Sequence, residues 1–268
     1  MRAAVWLPLF DELADPRVVA DLAVEAEAAG WDGFFVWDQL TWREPVASVA
    51  DPWICLAAAA TVTSGLAIGP MVTPLARRRP TKVARETASL DRLSGGRLVL
   101  GVGLGSDRFA QEYSRTGEPP DDRVRAEMLD ESLEILGGAW TGESVAHHGR
   151  HHLVDDMTFL PRPVHGRVPV WVAAFPGNLR PLRRAARHDG VFPVNLTSPD
   201  QLAEAVERVQ GLRAGATGSF DVAVDVPPGQ DPAPWVTAGA TWVLTGVEPE
   251  SLRLDAVRGV VRDGPHLV

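Results

Sequence analysis

Short apolar runs alternate with longer stretches of helical spacing along the whole chain. Eight of these runs have the length and residue types of strands: Ala3–Leu7, Gly33–Trp37, Ala67–Val72, Leu98–Val102, Val168–Ala173, Gly190–Val194, Phe220–Val226 and Thr241–Thr245. Regular alternation of strands and helices is typical of βα units around a parallel sheet, and eight such strands can close into a barrel without an exposed edge. The pattern therefore predicts an α/β fold of the (β/α)8 TIM-barrel type, with residues 1–268 forming a single domain.

The segments between the strands carry helix start signals. Four helices are predicted to begin at a proline in the first helical position: Pro16, Pro52, Pro80 and Pro199. Ser198, just before the last of these, is expected to cap its helix. The fourth helix spans about Asp122 to Trp140, and the segment from Glu143 to Pro163 then breaks the alternation. That segment predicts a hairpin insertion, turning at Gly149, between the fourth helix and the fifth strand.

Charge and composition narrow the class of protein. The chain has 26 basic and 35 acidic residues and a net charge of −9, which argues against binding to nucleic acid or to an anionic membrane surface. The longest apolar run, Ile54 to Ala60, is too short to span a bilayer, and the first ten residues resemble a strand more than a secretory signal. The single cysteine, Cys55, cannot form an intramolecular disulfide and favours a reducing compartment. A cytoplasmic location is predicted.

The residues that follow the predicted strands are rich in tryptophan, glycine and proline and poor in acid–base pairs. Active sites of such barrels lie at these carboxyl ends, and this lining suits a flat aromatic cofactor better than a hydrolytic centre. The run Ser94 to Gly105 leaves a strand through glycines at alternate positions, where a backbone without Cβ atoms can approach a planar ligand. Its spacing is not that of a dinucleotide-binding loop.

Five segments resemble the luciferase-like superfamily of flavin and deazaflavin enzymes, in order and in spacing: Gly30–Leu40, Gly69–Thr87, Leu90–Gly105, Phe159–Ala174 and Arg183–Pro193. The resemblance implies an FMN or deazaflavin (coenzyme F-420) ring across the barrel mouth and oxidation, reduction or oxygenation of a small organic substrate. It also implies a flavin or deazaflavin reductase as a possible partner and a homodimer. The alanine-rich second helix, Pro52 to Thr63, is the candidate dimer contact.

The same resemblance assigns candidate site residues. Those expected to bind the cofactor are Trp37, Asp38, Pro70, Met71, Thr73, Gly103, Gly105, Ser106, Ala174, Phe175, Gly177 and Asn178. Asp38 and Gln39 are the candidate catalytic residues. A non-proline cis peptide is expected between Pro70 and Met71, and the cofactor phosphate is expected at the helix starts after Asn178 and at Ser198, with Arg180, Arg183 and Arg184 at the first of these.

Two departures from the family pattern bear on activity. Gln39 stands where the dehydrogenases have a proton-donating histidine, and Ser106 stands where they have a glutamate. A dehydrogenase mechanism of that kind is therefore doubtful, and a barrel that binds a flavin or another ligand without turnover is the alternative. The histidine run 147–152 is predicted not to hold a metal, because neighbouring residues of a hairpin strand point to opposite faces.

Overall fold

The computed structural model describes residues 1–249 and 252–265. Its central sheet is parallel, with strand order β3-β2-β1-β11-β10-β9-β8-β5-β4. The strands of this sheet are β1 Arg2–Leu7, β2 Gly33–Val36, β3 Ala67–Pro70, β4 Thr73–Pro74, β5 Leu100–Gly103, β8 Val170–Ala174, β9 Gly190–Pro193, β10 Asp221–Asp225 and β11 Trp242–Gly246. Each lies within or next to a predicted strand, and the predicted α/β barrel is confirmed.

The third barrel strand is split into two pieces that pair on different sides. β3 pairs with β2, whereas β4 pairs with β5. An isolated bridge between Ile68 and Leu98 also joins this strand to the start of the next one and closes the sheet. Met71 and Val72 lie in the gap, so their backbone groups are placed differently from those of a continuous strand.

Helices cover the outside of the sheet, and most begin where the sequence predicts. They are α1 Pro16–Ala28, α2 Pro52–Val62, α3 Pro80–Leu93, α4 Asp122–Thr141, α5 Leu179–Ala185, α6 Pro199–Leu212, α7 Ala233–Thr237 and α8 Leu254–Asp263. The side chains of Asp15 and Asp51 cap α1 and α2 by accepting backbone N–H groups. The predicted capping by Ser198 is wrong, because its side chain makes no cap hydrogen bond. Instead Gln201 accepts from the Thr197 N–H at 2.8 Å.

The predicted hairpin insertion is confirmed. Strands β6 Ser144–His148 and β7 Leu153–Thr158 pair antiparallel between α4 and β8. Within the described ranges, no helix is both long enough and apolar enough to cross a membrane. Cys55 is a buried free cysteine, and burial raises the pKa of its thiol to about 12, so it is unreactive at neutral pH.

Two hydrophobic clusters divide the strand side chains by face. The outer cluster joins the strands to the helices, and the inner cluster fills the barrel. Three large rings pack inside: Phe35 lies 5.5 Å from Trp171, and Trp171 lies 5.4 Å from Trp242, measured between ring centroids. The lower barrel is thus a packed core, as is usual for this fold. Residues on the same strand faces, one step closer to the carboxyl ends, form the mouth.

Candidate functional site

Asp38 and Thr73 meet at the barrel mouth, as the sequence predicts. Asp38 follows β2 and Thr73 begins β4, and the Thr73 hydroxyl donates a hydrogen bond to the Asp38 carboxylate. Asp38 is only 2% exposed. A buried carboxylate needs compensating partners to remain ionised, so its other neighbours decide its state.

Those partners are two consecutive arginines after β4. Arg77 Nη2 lies 2.6 Å from Asp38 Oδ1, and Arg78 Nη2 lies 2.7 Å from Oδ2. Burial alone raises the pKa of the Asp38 carboxyl, but the charges of Arg78 and Arg77, helped by hydrogen bonds from Arg78 and Thr73, outweigh it and leave the pKa below its usual value. Asp38 is therefore an ionised carboxylate with both oxygens occupied.

Arg77 also connects Asp38 to a second buried acid, Glu112, with which it forms an ion pair. Glu112 lies in the loop after β5, and its Oε1 accepts backbone N–H groups from Leu40 at 2.5 Å and Thr41 at 3.1 Å. With its amide oriented to donate, Gln39 Nε2 lies 2.9 Å from the same oxygen. Gln39 thus binds a neighbouring loop, and a direct part in catalysis for Asp38 and Gln39 stays a prediction.

We call Asp38, Thr73, Arg77, Arg78 and Glu112 the acid–arginine cluster. It joins the loops after β2, β4 and β5 by charge-assisted hydrogen bonds. The sequence analysis missed Glu112 and both arginines. The pair Arg77-Arg78, three and four residues after the end of β4, was the available signal, because two adjacent cations near a buried strand end require an acid.

The non-proline cis peptide lies one bond later than expected, between Met71 and Val72 and not between Pro70 and Met71. Pro70 is the last residue of β3, in register with Val36 of β2, so the peptide that follows it continues the sheet. The Met71 carbonyl accepts a hydrogen bond from Trp6 Nε1 at 2.6 Å. This bond ties the mouth end of β1 to the gap in the third strand.

The glycines after β5 make room for the chain's own side chains. A Cβ on Gly103 would lie 3.0 Å from Val72 Cγ2, and one on Gly105 would overlap the Tyr113 hydroxyl. Gly105 also has φ of +70°, which favours glycine. The space beside both glycines is therefore filled by neighbouring side chains, and contact of Gly103 and Gly105 with a cofactor stays a prediction. Ser106 accepts a local backbone hydrogen bond from Arg108 N at 3.1 Å.

Aromatic side chains form one wall of the mouth. The rings of Trp6 and Trp37 lie 5.0 Å apart, Trp37 and Trp42 lie 5.7 Å apart, and Trp42 stacks on Phe109 at 5.0 Å. Trp6 and Trp37 are half-buried. Among the described residues, the buried indole Nε1 of Trp37 has no hydrogen-bond partner. The same holds for the buried indole nitrogens of Trp53, Trp171 and Trp242, so what this wall offers a ligand is the half-buried faces of its rings.

The loop after β8 contains the last group of predicted cofactor residues. Ala174 is buried, whereas Phe175, Gly177 and Asn178 are exposed, and the Asn178 side chain caps α5 through Arg180 N at 3.1 Å. The three arginines near this helix start separate in the structure: Arg180 and Arg183 are exposed, and Arg184 turns away to Asp130 of α4, at 2.6 Å from Oδ1. A shallow cleft lies between this loop and α6.

One acidic residue at the mouth was missed by the sequence analysis. Asp225 is the last residue of β10 and is open to solvent. The surrounding strand ends leave its carboxylate poorly hydrated, which raises its pKa to about 7; the nearby charge of Glu248 adds to the rise, and the Gly246 amide opposes it. A residue on a concave surface, such as Asp225, can be accessible to solvent while its carboxylate is poorly hydrated. The signal was the alternation of β10, which places Asp225 on the same face as the interior residue Ala223.

The four histidines of the hairpin diverge. Nε2 of His151 lies 3.0 Å from Glu127, that of His147 lies 3.4 Å from Glu131, and that of His152 lies 3.3 Å from the Ser132 hydroxyl. His148 approaches Asp155. In the described part of the chain, no three His, Cys, Asp or Glu side chains are grouped to hold a metal. A cavity of about 280 Å³ lies elsewhere, on the barrel flank beside α8.

Comparison with known proteins agrees with this geometry. Over 163 residues the chain is 35% identical to the F420-dependent glucose-6-phosphate dehydrogenase of Nakamurella multipartita, an alignment that covers 59% of this chain and 47% of that protein. The chain thus spans about half the length of such curated relatives. The activity in their name belongs to longer proteins, of which this chain matches only a part.

Solved structures share the fold at low sequence identity. An F420-dependent secondary alcohol dehydrogenase with an F420-acetone adduct superposes with a TM-score of 0.82 at 18% identity, covering 98% of this chain and 97% of that one. The oxygenating constituent of 3,6-diketocamphane monooxygenase from Pseudomonas putida, in complex with FMN, gives 0.69 at 22% identity and covers 84% and 66%. Because the luciferase-like monooxygenase model matches residues 3–231, well over half of the sequence, this chain belongs to that family.

Proposed function

We propose that the protein is an oxidoreductase that binds a flavin-type ring, FMN or the deazaflavin F420, at the barrel mouth and acts on a small organic substrate. The observation that supports this most directly is the half-buried aromatic wall of Trp6 and Trp37, whose ring centroids lie 5.0 Å apart. A planar ring fits such a surface, because it can stack on the accessible parts of the indoles.

The residues at the mouth fit the ring in further ways. Val72 and Ala173 are half-buried and close to each other, since a Cβ on Gly103 would lie 3.0 Å from Val72 Cγ2 and 3.5 Å from Ala173 Cβ. A ring in contact with Trp37, Val72 and Ala173 would cover apolar surface. When bound, such a ring supplies two-electron transfer. The loop residues Phe175, Gly177 and Asn178 would lie toward its phosphate side.

The acid–arginine cluster has a positioning role in this proposal. Asp38 and Gln39 have their polar atoms engaged by Arg77, Arg78 and Glu112, so they hold the loop that carries Trp37 and Trp42 in place. A rigid aromatic wall keeps a bound ring in one orientation and excludes water from one side of it. We propose this role for Asp38 and Gln39 in place of proton transfer.

The named relatives favour F420 as the cofactor. Exposed apolar side chains surround the mouth in three loops: Leu40, Phe109 and Phe175. This rim favours a largely apolar substrate over a sugar phosphate, which would need several cations. A reductase that supplies reduced cofactor, and a cytoplasmic location consistent with the free thiol of Cys55, belong to the same proposal.

Titration of the purified protein with F420 and with FMN tests the proposal, followed by tryptophan fluorescence and cofactor absorbance. We expect one of the two to bind, with quenching of indole emission. Trp37→Phe should weaken binding about tenfold, which corresponds to roughly 1.4 kcal/mol for the stacking surface lost with the larger ring. Trp235→Phe, on the outer helix α7, is the matched control. Binding of neither cofactor would contradict the proposal, and binding without any turnover would favour the non-catalytic alternative.

We further propose that a second copy of this chain covers α2. This helix is apolar on all sides, which is typical of a buried helix, yet Ile54 is 60% and Val62 is 47% exposed. The half-buried Ala57 and Ala58 lie between them and allow close helix packing. Light scattering should show a dimer that Ile54→Glu dissociates, while Leu153→Glu on the hairpin leaves it intact. A monomeric parent protein would overturn this part of the proposal.

A further inference from the structure

The position of Asp225 follows from the alternation of β10. Ala223 belongs to the cluster that fills the barrel, together with Ala4 of β1, Phe35 of β2 and Leu244 of β11. Side chains two residues apart on a strand share a face, so Asp225 lies above Ala223 on the inner face, at the level where the barrel opens. The layer beneath it is apolar.

The neighbours of Asp225 connect it to the rest of the mouth. A Cβ on Gly246 would lie 2.8 Å from Asp225 Oδ1 and 2.9 Å from the Trp6 ring, so carboxylate and indole flank the same glycine. Trp6 in turn donates to the Met71 carbonyl at 2.6 Å and packs 5.0 Å from Trp37. The carboxylate therefore lies at one end of the surface that we assign to the flat ring.

The charges that face Asp225 differ from those around Asp38. From β1 it meets the neutral Trp6, from β11 the amide of Gly246, and from the loop after β11 the acidic Glu248. The adjoining end of β9 contributes Pro193, which does not titrate. Across residues 1–249 and 252–265, no cation is paired with Asp225. Its carboxyl can gain or lose a proton near neutral pH, whereas Asp38 stays ionised.

We propose that Asp225 is the acid–base residue that exchanges a proton with the substrate oxygen at the barrel mouth. This inference rests on the proposed function. In the oxidation of an alcohol, the O–H proton moves to the Asp225 carboxylate, and the carbon-bound hydrogen leaves with its electron pair to an oxidised deazaflavin, which leaves a carbonyl compound. In the reverse direction the protonated Asp225 donates its proton to the carbonyl oxygen. Gln39 cannot perform this transfer, because an amide does not titrate in this range.

Carboxyl-carbon NMR of protein labelled at aspartate tests the position of Asp225 without requiring turnover. We expect one resonance to titrate near pH 7, to be missing in Asp225→Asn, and to remain in Asp155→Asn, a variant of an exposed hairpin carboxylate. Saturation with F420 or FMN should shift that titration to higher pH by about one unit, because a ring laid beside the carboxyl removes more water from it. A titration that the bound cofactor does not move would overturn the assignment.

Kinetics provide the second readout, with F420 as oxidant and propan-2-ol and glucose 6-phosphate as probe alcohols. For a probe that is oxidised, kcat/KM should rise with pH through about 7, and Asp225→Asn should lower kcat by about a hundredfold or more and flatten the profile. An unchanged kcat in Asp225→Asn would also overturn the proposal. Cofactor binding should be retained within threefold in the variant. If neither cofactor binds the parent protein, the proposed function fails. If a cofactor binds but does not shift the titration of Asp225, only the assignment of Asp225 fails.

Discussion

Asp38 and Asp225 are both aspartates at the carboxyl end of a barrel strand, yet their surroundings make them different chemical groups. Asp38 is buried and receives two arginines and a threonine, which hold its pKa below the usual value. Asp225 is open to solvent, has an acidic neighbour, and has a pKa of about 7. The positive charges beside Asp38 keep it ionised, whereas Asp225 has no such neighbour and can gain or lose a proton. From sequence position alone, Asp38 was the candidate for catalysis and Asp225 was not considered.

The largest effect is expected when a positive charge that compensates Asp38 is removed. Arg77→Met leaves Asp38 and Glu112 buried with less positive charge, and loss of one partner of a buried pair costs about 3–5 kcal/mol. Urea unfolding should show this loss. Arg208→Met, which removes an exposed pair with Glu204, should cost about 0.5 kcal/mol or less. Equal losses in the two variants would show that the cluster does not stabilise the fold.

A smaller effect is expected at Gly105, beside the same cluster. Gly105→Ala places a Cβ against the Tyr113 hydroxyl at a positive φ, and should cost about 2 kcal/mol or more. Gly117→Ala has a similar φ of +78° but open space around the added carbon, so it reports the backbone cost alone, about 1 kcal/mol. Thermal unfolding of both variants gives the difference. A Gly105 variant no less stable than the Gly117 variant would contradict the tight contact with Tyr113.

A third, pH-dependent effect concerns Asp225, whose pKa shift is opposite in direction to that of Asp38. When folding raises the pKa of a carboxyl, the protein loses stability as the pH rises from the unfolded-state pKa, about 3.8, to the folded-state pKa, about 7. Asp225→Asn should therefore gain thermal stability relative to the parent protein across that window and level off above it. Asp155→Asn, which removes an exposed hairpin carboxylate, serves as the control. Asp38 has the opposite sign, because its stabilisation is lost as pH falls below 3.8.

The sequence predicted elements well and contacts poorly. Apolar periodicity located the barrel strands and the hairpin, since burial on a strand or helix face imposes that period directly. It located the cis peptide one bond too early, because Met71 and Val72 are both apolar and nothing in their order marks where the strand breaks. The glycines of the β5 run suggested an open floor, but the fold brings Val72 and Tyr113 into the space beside them, which no local pattern indicates.

The site residues divide in the same way. Asp38 and Thr73 were expected at the mouth and are there, but the role of Asp38 depends on Arg77, Arg78 and Glu112, which lie 39 to 74 positions away along the chain. Charge compensation across such distances is invisible to local patterns. Asp225 was within reach of sequence reasoning, because strand alternation alone puts it on the inner face of β10.

The gap between β3 and β4 has one more consequence. In an unbroken strand the Met71 carbonyl would be one more rung of the sheet, bonded to a neighbouring backbone amide. Here the Met71 carbonyl accepts instead from the Trp6 indole, and this hydrogen bond connects β1 to the third strand across the opening. A third strand without this gap would release that tryptophan, and the entrance to the barrel would change shape.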